Sequence, residues 1–179
     1  MRKKLIIING VMGVGKTSVS KALYKQLDNS LWLDGDNCWM MNPFEVTSEN
    51  KYMVIDNITY LINNFIKNSK SKHIILNWVI HTDEIMDSIL YKINMDKIDL
   101  YKITLICDED TLVKRIKKDI KSGIRDEDNI KRSLDKLKLY KNMNTLKIDT
   151  FKCIYFYFMN KDLYSKGVKF KFFLKVFEK

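Results

Sequence analysis

Short apolar runs alternate along this chain with longer stretches in which apolar residues return every three or four positions. The runs Leu5–Asn9, Leu31–Leu33, His73–Ile80, Tyr101–Cys107 and Leu146–Ile148 predict five strands. Continuous apolar runs of this kind, rather than alternating ones, suit strands covered on both faces, as in a parallel sheet. Between them, Ser18–Leu27, Ser48–Asn68, Asp83–Ile93, Asp110–Lys121 and Asp126–Tyr140 carry helical spacing. In the second of these, Val54/Ile55, Ile58, Leu61/Ile62 and Phe65/Ile66 form one stripe, and in the last Ile130, Leu134 and Leu137 form another. Gly123 sits where a left-handed residue would close the fourth helix. Alternating strands and helices predict a doubly wound α/β domain that binds ligands at the carboxyl ends of its strands.

The pattern stops at Thr150. Residues 151–179 are crowded with Phe, Tyr and Lys and lack amphipathic periodicity, so they are set apart from a domain spanning residues 1–150. They read either as an apolar docking element or as an aberrant end. The chain has 179 residues, enough for one domain with a substantial core. No apolar run is long enough to cross a bilayer. The basic start followed by Leu5–Ile8 superficially resembles a signal peptide, but Gly13, Gly15 and Lys16 interrupt it, and a cytoplasmic protein without membrane partners is expected. Cys38, Cys107 and Cys153 are odd in number and widely spaced, which suits reduced structural thiols rather than disulfides or zinc.

The first strand runs directly into Gly10-Val-Met-Gly-Val-Gly-Lys-Thr17, a complete GxxxxGK[ST] loop. Such a loop between a buried strand and a helix start turns consecutive backbone N–H groups toward one anion. Gly10, Gly13, Val14, Gly15, Lys16, Thr17 and Ser18 are thus the expected phosphate cradle. Lys16 reaches the outer phosphates, the Thr17 hydroxyl ligates Mg²⁺, and the following helix turns its positive end toward the triphosphate. The expected fold is therefore the three-layer α/β/α architecture of the P-loop NTPases, with a five-stranded parallel sheet and a short helical lid at about residues 115–132.

The second strand ends in Leu33-Asp34-Gly35-Asp36. Two carboxylates beside a phosphate loop can divide two tasks: one holds Mg²⁺, directly or through water, and the other orients or deprotonates an attacking hydroxyl. The same residues also make an ordinary acidic turn. The net charge of +10 raises the question of nucleic acid. Yet the basic residues are mostly lysines dispersed among acidic ones, and abundant Lys, Ile and Asn suit an AT-rich coding bias, so no nucleic-acid partner is expected. Against that background arginine is informative. Of Arg2, Arg115, Arg125 and Arg132, three fall in the expected lid, and arginine offers phosphate a bidentate fork that lysine lacks.

The phosphate loop, the Asp-x-Asp pair and the arginine-bearing lid together resemble the small-molecule P-loop kinases: shikimate, gluconate and adenylylsulfate kinases and chloramphenicol phosphotransferase. Leu33-Asp34-Gly35-Asp36-Asn37 is similar to the adenylylsulfate kinase form. Thr111–Arg115 with Gly123-Ile124-Arg125 is similar to the adenine-covering and lid arginines of shikimate kinases, and Lys147–Thr150 resembles the approach to their last strand. The resemblance implies ATP and Mg²⁺ as cofactors, with Asp34 supporting the metal and Asp36 meeting the acceptor hydroxyl. It also implies that Lys16, Asp36 and Arg125 carry the transfer, that Arg115 lies over the adenine, and that Asp149 and Thr150 edge the base. Departures are equally clear. No arginine lies between Arg2 and Arg115, Lys136 stands where a substrate-binding arginine is expected, and Asn77 stands near the place of an acidic third-strand residue.

Trp39, Trp78 and His81 are the expected acceptor-binding residues. Flat aromatic walls with few fixed charges suit a ring-bearing hydroxylated molecule such as a nucleoside, a nucleotide or an antibiotic-like compound, although both tryptophans could equally fill core space. His81 reads as a structural hydrogen-bonder. The expectation is a phosphotransferase for a small-molecule acceptor, monomeric or homodimeric, with ATP or GTP as donor. The alternative is a regulatory nucleotide-binding protein or slow NTPase.

Overall fold

A computed structural model describes residues 2–150 of the chain. Within them β1 (Lys3–Gly10), β2 (Ser30–Asp34), β3 (His73–Asn77), β4 (Ile98–Ile106) and β5 (Leu146–Asp149) form one sheet in the order β2-β3-β1-β4-β5. Every pairing is parallel. The helices are α1 (Lys16–Gln26), α2 (Ser48–Lys67), α3 (Asp83–Tyr91), α4 (Glu109–Lys121) and α5 (Asp128–Asn142). The connection through α1 runs from the centre of the sheet to its β2 edge, whereas those through α2 and α3 run back. Right-handed crossovers therefore place α1 on one face and α2 with α3 on the other, giving the expected three layers.

The core follows from the apolar runs. Leu5, Ile6, Ile7 and Ile8 in the central strand, and Ile74, Ile75 and Leu76 beside them, are all fully buried because helices cover both faces of the sheet. Helix boundaries are fixed by local chemistry. The Thr47, Thr82 and Asp108 side chains cap α2, α3 and α4 by accepting from the backbone N–H groups of Asn50, Ile85 and Thr111. Gly123, at φ 70°, follows α4 as expected, with its N–H donating to Ile120 and that of Ile124 to Asp119.

One strand is shorter than its apolar run suggests. The expected third strand continues to Ile80, but β3 ends at Asn77. Beyond that point the Trp78 N–H donates to the Ile8 carbonyl at 3.2 Å, and the Asn9 side chain donates to the Ile80 carbonyl at 2.8 Å. The first bond completes the Ile8–Asn77 ladder pair, and the second, a side-chain bond that run length cannot reveal, takes over where backbone pairing stops. The expected lid, residues 115–132, is the second half of α4, a six-residue turn and the start of α5. Among the described residues no helix is long and apolar enough to cross a membrane. Expectations for residues 151–179, including Cys153, lie outside the described residues.

Candidate active site

The loop after β1 is built on three glycines with positive φ, at Gly10, Gly13 and Gly15. Gly13 shows why one of them is required. A Cβ there would lie 2.7 Å from Ile116 on α4, so α4 can pack against the loop only if this position has no side chain. Lys16 opens α1 almost entirely buried, and its ammonium donates to the Val11 carbonyl at 3.2 Å. Burial lowers its pKa to about 8, despite opposing attraction from Asp36 and Asp34; the Arg125 charge lowers it further.

The acidic turn reaches this loop by an indirect route. β2 is not adjacent to β1, because β3 lies between them. The Thr17 hydroxyl nevertheless donates to Asp34 Oδ2 at 3.1 Å. Asp34 also accepts the Asp36 N–H at 3.2 Å, which caps a 3₁₀ helix over Gly35–Trp39. That helix carries Asp36 into the cleft. The Asp36 pKa is raised, first by burial and then by the Asp34 charge, while Lys16, an indole hydrogen bond from Trp78 and Arg125 work against the rise. Gly35 has ordinary φ, and its role is space: a Cβ would meet the Trp78 ring at 2.5 Å. The absence of a side chain lets the indole pack against the turn beside Asp36.

Asn77, near the expected place of an acidic residue, is buried and accepts from the Trp32 indole at 2.5 Å. It braces β2 against β3. A hydroxyl and a carboxylate oxygen at Thr17 and Asp34 are hard donors suited to Mg²⁺, which keeps waters and phosphate oxygens in its shell. No cluster of three or more His, Cys, Asp or Glu able to hold a metal occurs among the described residues. These two side chains therefore fit an ion that a nucleotide's phosphates help to bind.

Arg115 and Arg125 approach from the other side. The Arg115 guanidinium donates to the Val14 carbonyl at 3.0 Å and the Thr150 hydroxyl at 2.8 Å, tying α4 to the phosphate loop and the end of β5. Arg125 is paired with Asp119 at 2.8 Å and faces Lys16 closely enough to oppose its charge. Arg132 is spent on an exposed pair with Asp128 one turn away. All these elements surround one cleft of about 1270 Å³. It is bounded by the phosphate loop and Arg115 in one part, and by Trp39, Trp78 and His81 in another. That volume exceeds what one drug-sized ligand needs, leaving room for a nucleotide and a second molecule.

Several expected residues stand behind the cleft rather than in its wall. Gly10 and Val14 are buried beneath the loop, Asp34 acts through Thr17 and Asp36, and Asp149 is absent from the lining, whereas Thr150 is in it. His81 is in the wall, its Nδ1 3.4 Å from the Val79 carbonyl. The residues that sequence reasoning missed lie on α5. Ser133 and Tyr140 line the cleft; Ser133 Oγ is buried without a hydrogen-bond partner among the described residues. Burial and then the Asp36 charge raise the Tyr140 pKa. Their seven-residue spacing puts them on one helix face, but that face also carries core residues, so spacing alone does not separate site from core.

The fold and the phosphate loop are those of a P-loop NTPase. The chain belongs to the AAA domain family, which matches residues 6–134. Its structure is similar to a gluconokinase from Sinorhizobium meliloti, with 15% identity, coverage of 83% of this chain and 82% of that one, and a TM-score of 0.60. It is similar to the Deinococcus radiodurans tunicamycin resistance protein, with 19% identity, coverage of 83% and 87%, and a TM-score of 0.60. A sugar kinase from Janibacter is 14% identical, with coverage of 83% and 86% and a TM-score of 0.56. No curated protein matches the sequence. At these identities the neighbours establish a shared fold.

Proposed function

We propose that this protein is an ATP-dependent phosphotransferase that moves the γ-phosphate of ATP to a hydroxyl of a small acceptor, such as a nucleoside or nucleotide. The observation that carries this reading is the convergence of Lys16, the Thr17–Asp34 pair and Asp36 at one end of a cleft large enough for two ligands. The backbone N–H groups of residues 13–18 bind the triphosphate, and Lys16 neutralises its outer charge. Thr17 and Asp34 would hold Mg²⁺, which when bound screens the phosphate oxygens. Asp36 accepts the proton of the acceptor hydroxyl, and its raised pKa makes it a better base than an ordinary exposed carboxylate. Trp78 packs beside that carboxylate. Arg125 supports charge on the transferring group, and Arg115 supports the nucleotide from the α4 side.

The test is ATP consumption with mass-shifted product in a screen of nucleosides, nucleotides, sugars and antibiotic-like compounds. Lys16→Ala is expected to lower turnover by on the order of 10²–10³-fold, the scale for removing one transition-state charge donor, while the fold is retained. Wild-type-like turnover in that variant would refute the role of Lys16. ATP hydrolysis that no small molecule alters, but a protein partner does, would support the regulatory alternative.

A further inference from the structure

Resting on the phosphotransfer reading above, we infer that the acceptor is an uncharged nucleoside, whose flat base lies on Trp39 and Phe44 and whose sugar hydroxyls face Asp36, Tyr140 and Ser133. The first support is the wall contributed by the segment from Asp36 to α3. The Trp39 ring lies 5.6 Å from Phe44 and 6.4 Å from Trp78, each pair tilted, so three rings run in series along the cleft. Met40 and Phe44 are 83% and 63% exposed where they border it. This loop is held in shape with its apolar side chains uncovered. The Trp39 indole donates to the Glu45 carbonyl at 3.3 Å, and the Asn50 amide donates to the same oxygen at 3.1 Å. A flat apolar ligand would cover that surface, and stacking on such rings requires no charge.

Charge provides the second support. Lys51 is the one lysine or arginine that the Asp36–α3 segment contributes to the wall. From the lid side, Arg125 and Arg132 are engaged by Asp119 and Asp128, and Lys118 and Lys136 add point charges rather than a bidentate fork. A phosphorylated or carboxylate acceptor would lose its hydration and approach Asp36 with only lysine point charges beside it, because each arginine of the wall is already bonded elsewhere. The third support is polar. Ser133 is 2% exposed, its Oγ lacks a partner among the described residues, and it borders the cleft. Tyr140, on the same face of α5, lies within electrostatic reach of Asp36. A ligand with several hydroxyls and one flat ring matches aromatic and hydroxyl groups in a single cavity; a simple sugar or an apolar ring matches only half of them.

The experiment incubates the full chain with Mg·ATP and one of three probe groups: the four ribonucleosides, their 5′-monophosphates, or gluconate. Phosphorylated product is followed by mass spectrometry and probe binding by tryptophan fluorescence. Mg·ATP binding is measured separately by equilibrium dialysis. At least one nucleoside is expected to gain a phosphate and quench fluorescence, with its monophosphate and gluconate at least tenfold poorer. Trp39→Ala is expected to raise the nucleoside KM by about tenfold or more, the scale of one lost base-stacking platform, with the ATP KM unchanged. Ser133→Ala supplies a second readout that leaves the ring wall intact, and it is expected to raise the nucleoside KM severalfold. Preference for a monophosphate or gluconate overturns the nucleoside assignment and leaves the kinase reading standing. So does Mg·ATP binding with no product from any probe. Absence of Mg·ATP binding instead removes the kinase reading beneath it.

Discussion

The Thr17 hydroxyl at the start of α1 and Asp34 Oδ2 at the end of β2 lie 3.1 Å apart, although β1, which leads into the phosphate loop, is separated from β2 by β3. This pairing joins the phosphate loop to the acidic turn and presents two hard oxygens suited to the nucleotide-bound Mg²⁺ proposed above. Asp34→Asn retains the shape and removes the charge. It is expected to weaken Mg²⁺-dependent ATP binding by on the order of 10–100-fold, the scale for disturbing groups that support a metal. Nucleotide binding titrated with and without Mg²⁺ checks this, and an unchanged Mg²⁺ dependence would remove Asp34 from the metal site.

Lys16 makes stability depend on pH in a defined direction. Its folded pKa of about 8 lies below the ordinary 10.5, so burying the charged form opposes folding. That cost, up to about 3 kcal/mol by the linkage relation, is fully present below pH 8 and fades as pH rises toward 10.5. Lys16→Met is therefore expected to be more stable than wild type at pH 7 without nucleotide, with the difference narrowing above pH 8. Urea denaturation at several pH values tests it; a constant difference would mean that Lys16 is not held with a lowered pKa.

Because the Arg125 charge adds to the lowering of the Lys16 pKa, Arg125→Ala is expected to move that value upward. The alkaline limb of the stability profile should then shift to higher pH. Turnover should fall by on the order of 10²-fold, as for loss of a cation at a transferring phosphoryl group. An unmoved stability profile would place Arg125 too far from Lys16 to act on the same phosphates.

Gly35 tests the support beneath Asp36. The Cβ of Gly35→Ala would enter the Trp78 ring at 2.5 Å, displacing an indole that packs beside the Asp36 carboxylate. Overpacking of this kind costs about 1–3 kcal/mol. Turnover is expected to fall more than tenfold while ATP affinity is retained, because the phosphate loop is untouched. Full activity with a lowered denaturation midpoint would confine Gly35 to a packing role.

Loop, helix and strand periodicities identified the fold because each is local. A glycine-rich turn between Ile8 and Lys16 is constrained by backbone geometry, and the Ile and Leu runs are constrained by coverage of both sheet faces. Composition likewise made the few arginines conspicuous. The tertiary structure decided what depends on distance. It directed Arg125 to Asp119, gave Asn77 to Trp32, and ended β3 three residues before its apolar run ends. It also brought Ser133 and Tyr140 into the cleft. Those outcomes rest on which elements become neighbours in space, and on how burial changes the free energy of each charge, neither of which is written in the spacing of residues along the chain.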